Sequence, residues 1–350
     1  MVVSRLHAWT STCPVPMAEM NQTVTHFVFL GLTDNRSIEL VLFVLFFIIY
    51  MLTLVGNLLI VVTVAWDRGL HTPMYFLLGN LSFLDICHSS VTAPKMLLDS
   101  VFRQKIISFG GCMAQFFFLH ICASAEIFLL TIMAYDRCVA ICYPLQYVTL
   151  VNLKICAWLV GALWIGGIIH SLVQTLLTIR LPFCGPNIID SFFCDIPPVM
   201  KLACADTYFT EVLMISNSGV ISLLCFLALV SSYAIIFLSL RKQTAEGRRK
   251  AFSTCAAHLL VVVLFLGPCI FIYTRPTSSF STEKMAAVFY TMVTPFLNPV
   301  IYTLRNKEVK NSMRKLWFRR KVFFIRKGVG QLALVENNLV KKEKTIQCNE

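Results

Sequence analysis

Along most of this chain apolar residues run in unbroken blocks rather than alternating with polar ones. The blocks fall at roughly 39–66, 74–97, 112–136, 155–178, 211–238, 252–274 and 285–304. Each is near the ~20 residues a helix needs to cross about 30 Å of hydrocarbon. In lipid the backbone must satisfy its own hydrogen bonds within a segment, so helix is the default. Barrel strands would alternate over ~10 residues, and these blocks do not. The second and seventh are the weakest, because polar residues interrupt them. Asn298–Pro299 inside the seventh removes a backbone bond and predicts a bend. The pattern predicts an all-α membrane protein: a seven-transmembrane helix bundle with a short cytoplasmic amphipathic helix after span 7. It divides the chain into an extracellular segment at 1–38, a membrane domain at 39–304 and a basic tail at 305–350.

Composition strengthens this reading. Hydrophobic residues make up 57% of the 350 and charged residues only 14%, against about 25% charged in soluble domains. Mean hydropathy is +0.74. The net charge of +12 lies in short segments between apolar blocks and in the tail, which points to membrane topology and lipid contact, not nucleic acid. Arg241, Lys242, Arg248, Arg249 and Lys250 fall between spans 5 and 6, and Arg305, Lys307, Lys310, Arg314 and Lys315 follow span 7. The positive-inside rule therefore predicts a cytoplasmic carboxyl end and an external amino end. The amino end carries no signal-peptide apolar core. The sequon at Asn21 lies on the predicted external side.

Several residues carry candidate chemistry. Cys112, Cys184, Cys194 and Cys204 fall on the predicted external side, where disulfides persist; four cysteines allow three pairings. Asp85, His120 and Glu126 are ionisable residues inside spans. Such residues are costly in lipid and face the bundle interior. If Asp85 approaches Glu126, the two acids need a cation or a shared proton; they are then either a site for a small monovalent ion such as sodium or two separately hydrogen-bonded acids. His120 and Ser124 lie one helical turn apart on span 3, with Leu119 and Ala123 beside them. At the other end of the same span, Asp136 and Arg137 form an acid–base pair after an apolar run.

"MAYDRCVAICYPLQY" (133–147), "HTPMYFLLGNLSFLDIC" (71–87), "KAFSTCAAHL" (250–259) and "PFLNPVIYTLRN" (295–306) occur together, in order. With them the chain resembles the olfactory receptor family of rhodopsin-like, G-protein-coupled receptors over roughly residues 21–317. The resemblance implies a resting Asp136–Arg137 pair that opens to a stimulatory, olfactory-type heterotrimeric G protein and raises cAMP. It implies that Tyr233 and His258 move as helix 6 opens. It places Asn57, Asp85, Asn298 and Tyr302 in an internal polar network with Glu126, counts Asn298, Pro299 and Tyr302 among the switch residues, and pairs Cys112 with Cys194 and Cys184 with Cys204. It adds His170, Asn217, Ser218, Ile221, Cys269, Tyr273 and Thr291 to the ligand site begun by Leu119, His120, Ala123 and Ser124. Cys138 stands where the family usually has tyrosine after Asp-Arg, and Leu266 where many members have an aromatic residue.

That set contains no carboxylate, lysine or arginine. It predicts a small neutral odorant with one hydrogen-bonding oxygen or sulfur on a hydrophobic body. A metabolite receptor of the same fold is the alternative reading. A transporter would show paired broken helices in repeated halves, and none occur. Neither HExxH nor GxSxG is present, so no enzyme activity is expected, and no cofactor beyond the sodium ion.

Overall fold

A computed structural model describes residues 24–102, 104–184, 187–241, 244–274, 280–306 and 308–316. Its long helices are α1 (Arg36–Trp66), α2 (Pro73–Phe102), α3 (Phe109–Cys142), α4 (Leu153–Ile179), α5 (Tyr208–Leu240), α6 (Ala245–Thr274) and α7. The last is built from Phe280–Val288, a π turn at Phe289–Val293, and Thr294–Arg305. Helix starts are set by polar caps: Asn35 accepts from the amides of Ser37 and Ile38, Ser108 from Gly111, and Asn152 from Ile155. These are the side chains that best satisfy the free N–H groups of a first turn. The helices overrun the apolar blocks because capped, polar turns extend past the hydrocarbon.

Among the described residues five helical segments are long and apolar enough to cross a membrane: Arg36–Trp66, Phe109–Cys142, Tyr147–Ile179, Tyr208–Leu240 and Thr282–Thr303. In α6 the apolar stretch is shorter, Cys255–Phe271, because the helix opens with Arg248, Arg249 and Lys250. The weak spans are therefore the second and sixth; the seventh, expected to be weak, is long and apolar enough.

Burial in α1 is inverted relative to a soluble helix. Its buried positions include Thr53, Asn57 and Thr63, while Val41 is 66% exposed and Val44, Ile48, Leu52, Val55 and Leu59 are also exposed. Apolar side chains on the outside and polar ones within are stable when the surrounding solvent is lipid. Gly56 lets α1 approach α7: a Cβ there would stand 3.1 Å from Pro299 Cγ. At the centre, α3 packs against α2, α4, α5 and α6.

The bundle is helical as expected, and one end of it also carries a small sheet. Strand β1 (His26–Phe29) pairs antiparallel with β2 (Ile106–Ser108) and parallel with β3 (Ile188–Ile189). The residues before α1 thus run between the segment joining α2 to α3 and the long loop after α4. Alternation along β1 turns Phe27 and Phe29 inward, into one apolar cluster with Ile189, Met113 and Phe116. Two disulfides hold this cap, Cys112–Cys194 and Cys184–Cys204. The first fastens the loop to α3 and the second closes the loop on itself. Ion pairs complete it: Lys105 with Glu39 at 3.0 Å, and Lys284 with Asp190 at 2.5 Å, while Lys284 also donates to the Gly31 carbonyl.

At the opposite end Asn306 terminates α7 and caps a further helical segment at 308–316, accepting from the amides of Glu308 and Val309. Val309 is buried against Ile60, Leu70, Tyr75 and Leu78. The Asn21 sequon and most of the basic tail lie outside the described residues.

Removing a native disulfide commonly costs about 2–5 kcal/mol. Cys112→Ser or Cys194→Ser frees the loop from α3, and either substitution is expected to abolish surface labelling of the protein in transfected cells. Wild-type labelling of both variants contradicts this account of the cap.

Candidate functional site

Three tiers of buried polar groups run along the bundle. The first lies under the sheet. His120 Nδ1 donates to the Phe116 carbonyl at 2.8 Å, and Ser124 returns its hydroxyl to the His120 carbonyl at 2.6 Å. Across from α3, Asn217 on α5 meets His170 on α4 at 3.2 Å, and Ser218 accepts from Gln174 at 2.7 Å. Leu119 packs in an apolar cluster with Phe192, Phe193, Tyr290 and Met292, with Cys269 against it, and Ala123 borders the central core. Ile221 is half-buried on α5. Thr291 is buried and gives its hydroxyl to the Ala287 carbonyl at 2.7 Å. The side chain of Tyr273 lies outside the described residues.

This tier also contains an acid absent from the predicted set. Asp195, next to the bridged Cys194, is 4% exposed. It accepts from the Tyr290 hydroxyl at 3.0 Å, and its Oδ1 stands 4.0 Å from His120 Nε2. The premise that no carboxylate lines the ligand site is therefore corrected. A reading by helix position missed Asp195 because it lies in a loop; its adjacency to a cysteine expected to bridge to α3 was the available signal. Gln115 shows the same effect, bonding the Cys194 amide at 3.0 Å and the Val91 carbonyl at 3.0 Å.

The second tier holds the in-span acids. Asn298 donates to both oxygens of Asp85, at 2.9 and 3.1 Å. Glu126 is bonded by His88 Nδ1 at 3.1 Å. Asn57 donates to the carbonyls of Thr53 and Pro295. The expected single network with Tyr302 is thus a set of separate contacts, and the Tyr302 hydroxyl is buried without a hydrogen bond. His88 belongs to the site although only His120 was singled out, and the same rule about histidines in spans identifies both. Oxygens of Asn57, Glu126 and Asn298 are buried without hydrogen-bond partners, and oxygen is the ligand type a small hard cation takes. No group of three or more His, Cys, Asp or Glu side chains with metal-holding geometry occurs among the described residues.

The third tier is at the far end of α3. Arg137 binds Asp136 through Nη2 at 2.5 Å and Nε at 3.0 Å, and Tyr147 donates to the other carboxylate oxygen at 2.7 Å. Tyr233 on α5 and His258 on α6 are hydrogen-bonded. Cys138 is buried with Ile236, Leu240 and Cys255. Packing explains why a cysteine fits here: the position faces α5, not water. Leu266 is half-buried beside the central core.

Two cavities lie away from these tiers. One is bounded by the segment before α1, α1, α2 and Phe192; the other lies between α1, α2 and the start of α4. None of the predicted ligand residues lines either.

Removing the Asn298 amide, which donates to both oxygens of Asp85, leaves a buried carboxyl group without that partner. Asn298→Ala is expected to cost about 3 kcal/mol and to lower the unfolding temperature of the detergent-solubilised protein. An unchanged transition would show that Asp85 does not depend on Asn298.

The sequence model described as Olfactory receptor matches residues 46–320. The chain is 67% identical to Olfactory receptor 4E2 of Mus musculus over 305 residues, 87% of this chain and 99% of that protein. It is 63% identical to Olfactory receptor 4E2 of Homo sapiens over 309 residues, 88% and 98% of the two. Identity to human Olfactory receptor 4E1 is 58% over 303 residues, 86% and 96%. With a matching family model across most of its length and relatives this similar over nearly their whole length, the chain is a member of the olfactory receptor family, a multi-pass membrane receptor and not an enzyme.

Proposed function

We propose that the odorant binds among α3–α7 beneath the sheet and activates a stimulatory, olfactory-type G protein that raises cAMP. In this reading α2 and α6, the two less apolar spans, also cross the bilayer, giving seven. The amino end, 1–38, is external; 39–304 spans; the tail from 305, with its short helix, is cytoplasmic and touches lipid. The basic residues after α5 and α7 support that orientation.

The observation that carries the reading is the arrangement at Arg137. Its carboxylate partner is adjacent in sequence and shared with Tyr147. Arg137 keeps some exposure, and a partly hydrated ion pair is cheap to make and to break. Next to it, the Tyr233–His258 bond joins α5 to α6, so a swing of α6 must break it. Contacts that can be broken at low cost are what a switch needs. Asp136, Arg137, Tyr233, His258, Asn298, Pro299 and Tyr302 are the proposed switch residues. A sodium ion at Asp85 and Glu126 would favour the resting arrangement, held by the orphan oxygens of the middle tier.

An odorant panel on transfected cells, read as cAMP, tests the function. Arg137→Ala is expected to silence ligand-driven cAMP while the receptor stays at the surface; normal signalling by that variant refutes the switch. Glu126→Gln is expected to raise basal cAMP. The sodium proposal fails if basal activity is the same in sodium as in a large organic cation.

A further inference from the structure

The tier beneath the sheet contains a mismatch. The Phe116 carbonyl can only accept, so the hydrogen it takes fixes the proton of a neutral His120 ring on Nδ1. Nε2 is then a bare lone pair. It faces Asp195 Oδ1 at 4.0 Å, beyond hydrogen-bond range. Asp195 is held in place from elsewhere: Oδ1 accepts from the Ile196 amide at 2.8 Å, and Oδ2 from the Tyr290 hydroxyl at 3.0 Å. His120 is 7% exposed and Asp195 4%. Two acceptors, one of them an anion, thus stand 4.0 Å apart on two largely buried residues. A buried carboxylate without a cationic partner is costly, and nothing in a neutral histidine offsets it.

We propose that this gap receives the head group of the odorant and that the head group is a primary ammonium. The proposal rests on the odorant-receptor reading above and names the ligand chemistry of that site. An atom about 2.8 Å from both Nε2 and Oδ1 sees them at an angle of roughly 90°, close to the spread of two hydrogens on a tetrahedral nitrogen. An ammonium offers three donors and a positive charge. A hydroxyl offers one hydrogen for two acceptors, and a carbonyl adds a third acceptor to the pair. The binding is non-covalent and moves no proton. Leu119, Phe193 and Tyr290 form the adjoining apolar wall, which suits a hydrocarbon body. The rival arrangement is a His120 that protonates and pairs with Asp195 itself; that leaves the gap neutral and favours neutral odorants.

The test uses the full-length receptor in transfected cells, with surface labelling and cAMP dose–response curves. The ligands are primary amines, alcohols and methyl ketones matched in carbon number and branching. Amines are expected to be about tenfold or more potent than the matched alcohols, with ketones weakest. Asp195→Asn removes the charge, keeps an oxygen to accept from the Ile196 amide and turns an NH2 donor toward the Tyr290 hydroxyl oxygen, and it should erase the amine advantage at unchanged surface level. If that variant fails to reach the surface, the wild-type ranking and a fall in amine potency in His120→Ala decide. Alcohols or ketones that match the amines in the wild type overturn the proposal, as does an amine preference that survives Asp195→Asn. Responses confined to odorants outside the three series also overturn it. Silence toward every odorant, with the receptor at the surface, overturns the receptor reading instead.

Discussion

The Cys112–Cys194 bridge is the constraint on which the sheet-capped end depends. It fixes the loop after α4 to the start of α3. Everything near the candidate ligand site is then placed by adjacency. The Cys194 amide reaches Gln115, and Asp195, one residue on, is carried to Tyr290 and His120. Downstream of β3, the same loop supplies Phe192 and Phe193 to the apolar wall. A loop of this length would not hold a buried carboxylate beside a helix without such a fixed point, because ordering each residue costs about 1–2 kcal/mol of backbone entropy.

Below that level the governing fact is the solvent. Lipid cannot hydrogen-bond, so polar side chains turn inward and meet each other. Asp85 meets Asn298 and His88 meets Glu126, while Asn57 reaches backbone carbonyls on α1 and α7. Tyr290 links two tiers, because it bonds Asp195 and lies with its ring 6.0 Å from that of His88. His88 in turn holds Glu126, and its ring is 6.3 Å from Phe265 on α6. A contact path therefore leads from the head-group gap to the in-span acids and to the helix proposed to move. Contiguity is a physical route for coupling, and coupling itself is a free energy between two states.

The sequence made the apolar blocks legible because a membrane helix must satisfy its backbone locally, and all seven predicted spans fall on long helices. His120, Asp136 and Arg137 were legible because charge or a titratable ring in a greasy run is costly without a role. What stayed hidden depended on long-range placement. The strand at His26–Phe29 forms only by pairing with Ile106–Ser108 and Ile188–Ile189, neither near it in sequence. Asp195 reads as an ordinary loop acid until the bridge brings it to α3. His88 was within reach of the rule that found His120. Its bond to Glu126 was not, because that depends on how α2 and α3 are rotated against each other.

The most direct measurement is a structure of the agonist-bound receptor with its G protein. The account predicts ligand density bounded by His120, Asp195 and Tyr290 under the sheet, with Arg137 released from Asp136 and Tyr233 parted from His258. Density in the cavity against α1 and α2 instead, or an intact Asp136–Arg137 pair in the coupled complex, would contradict it.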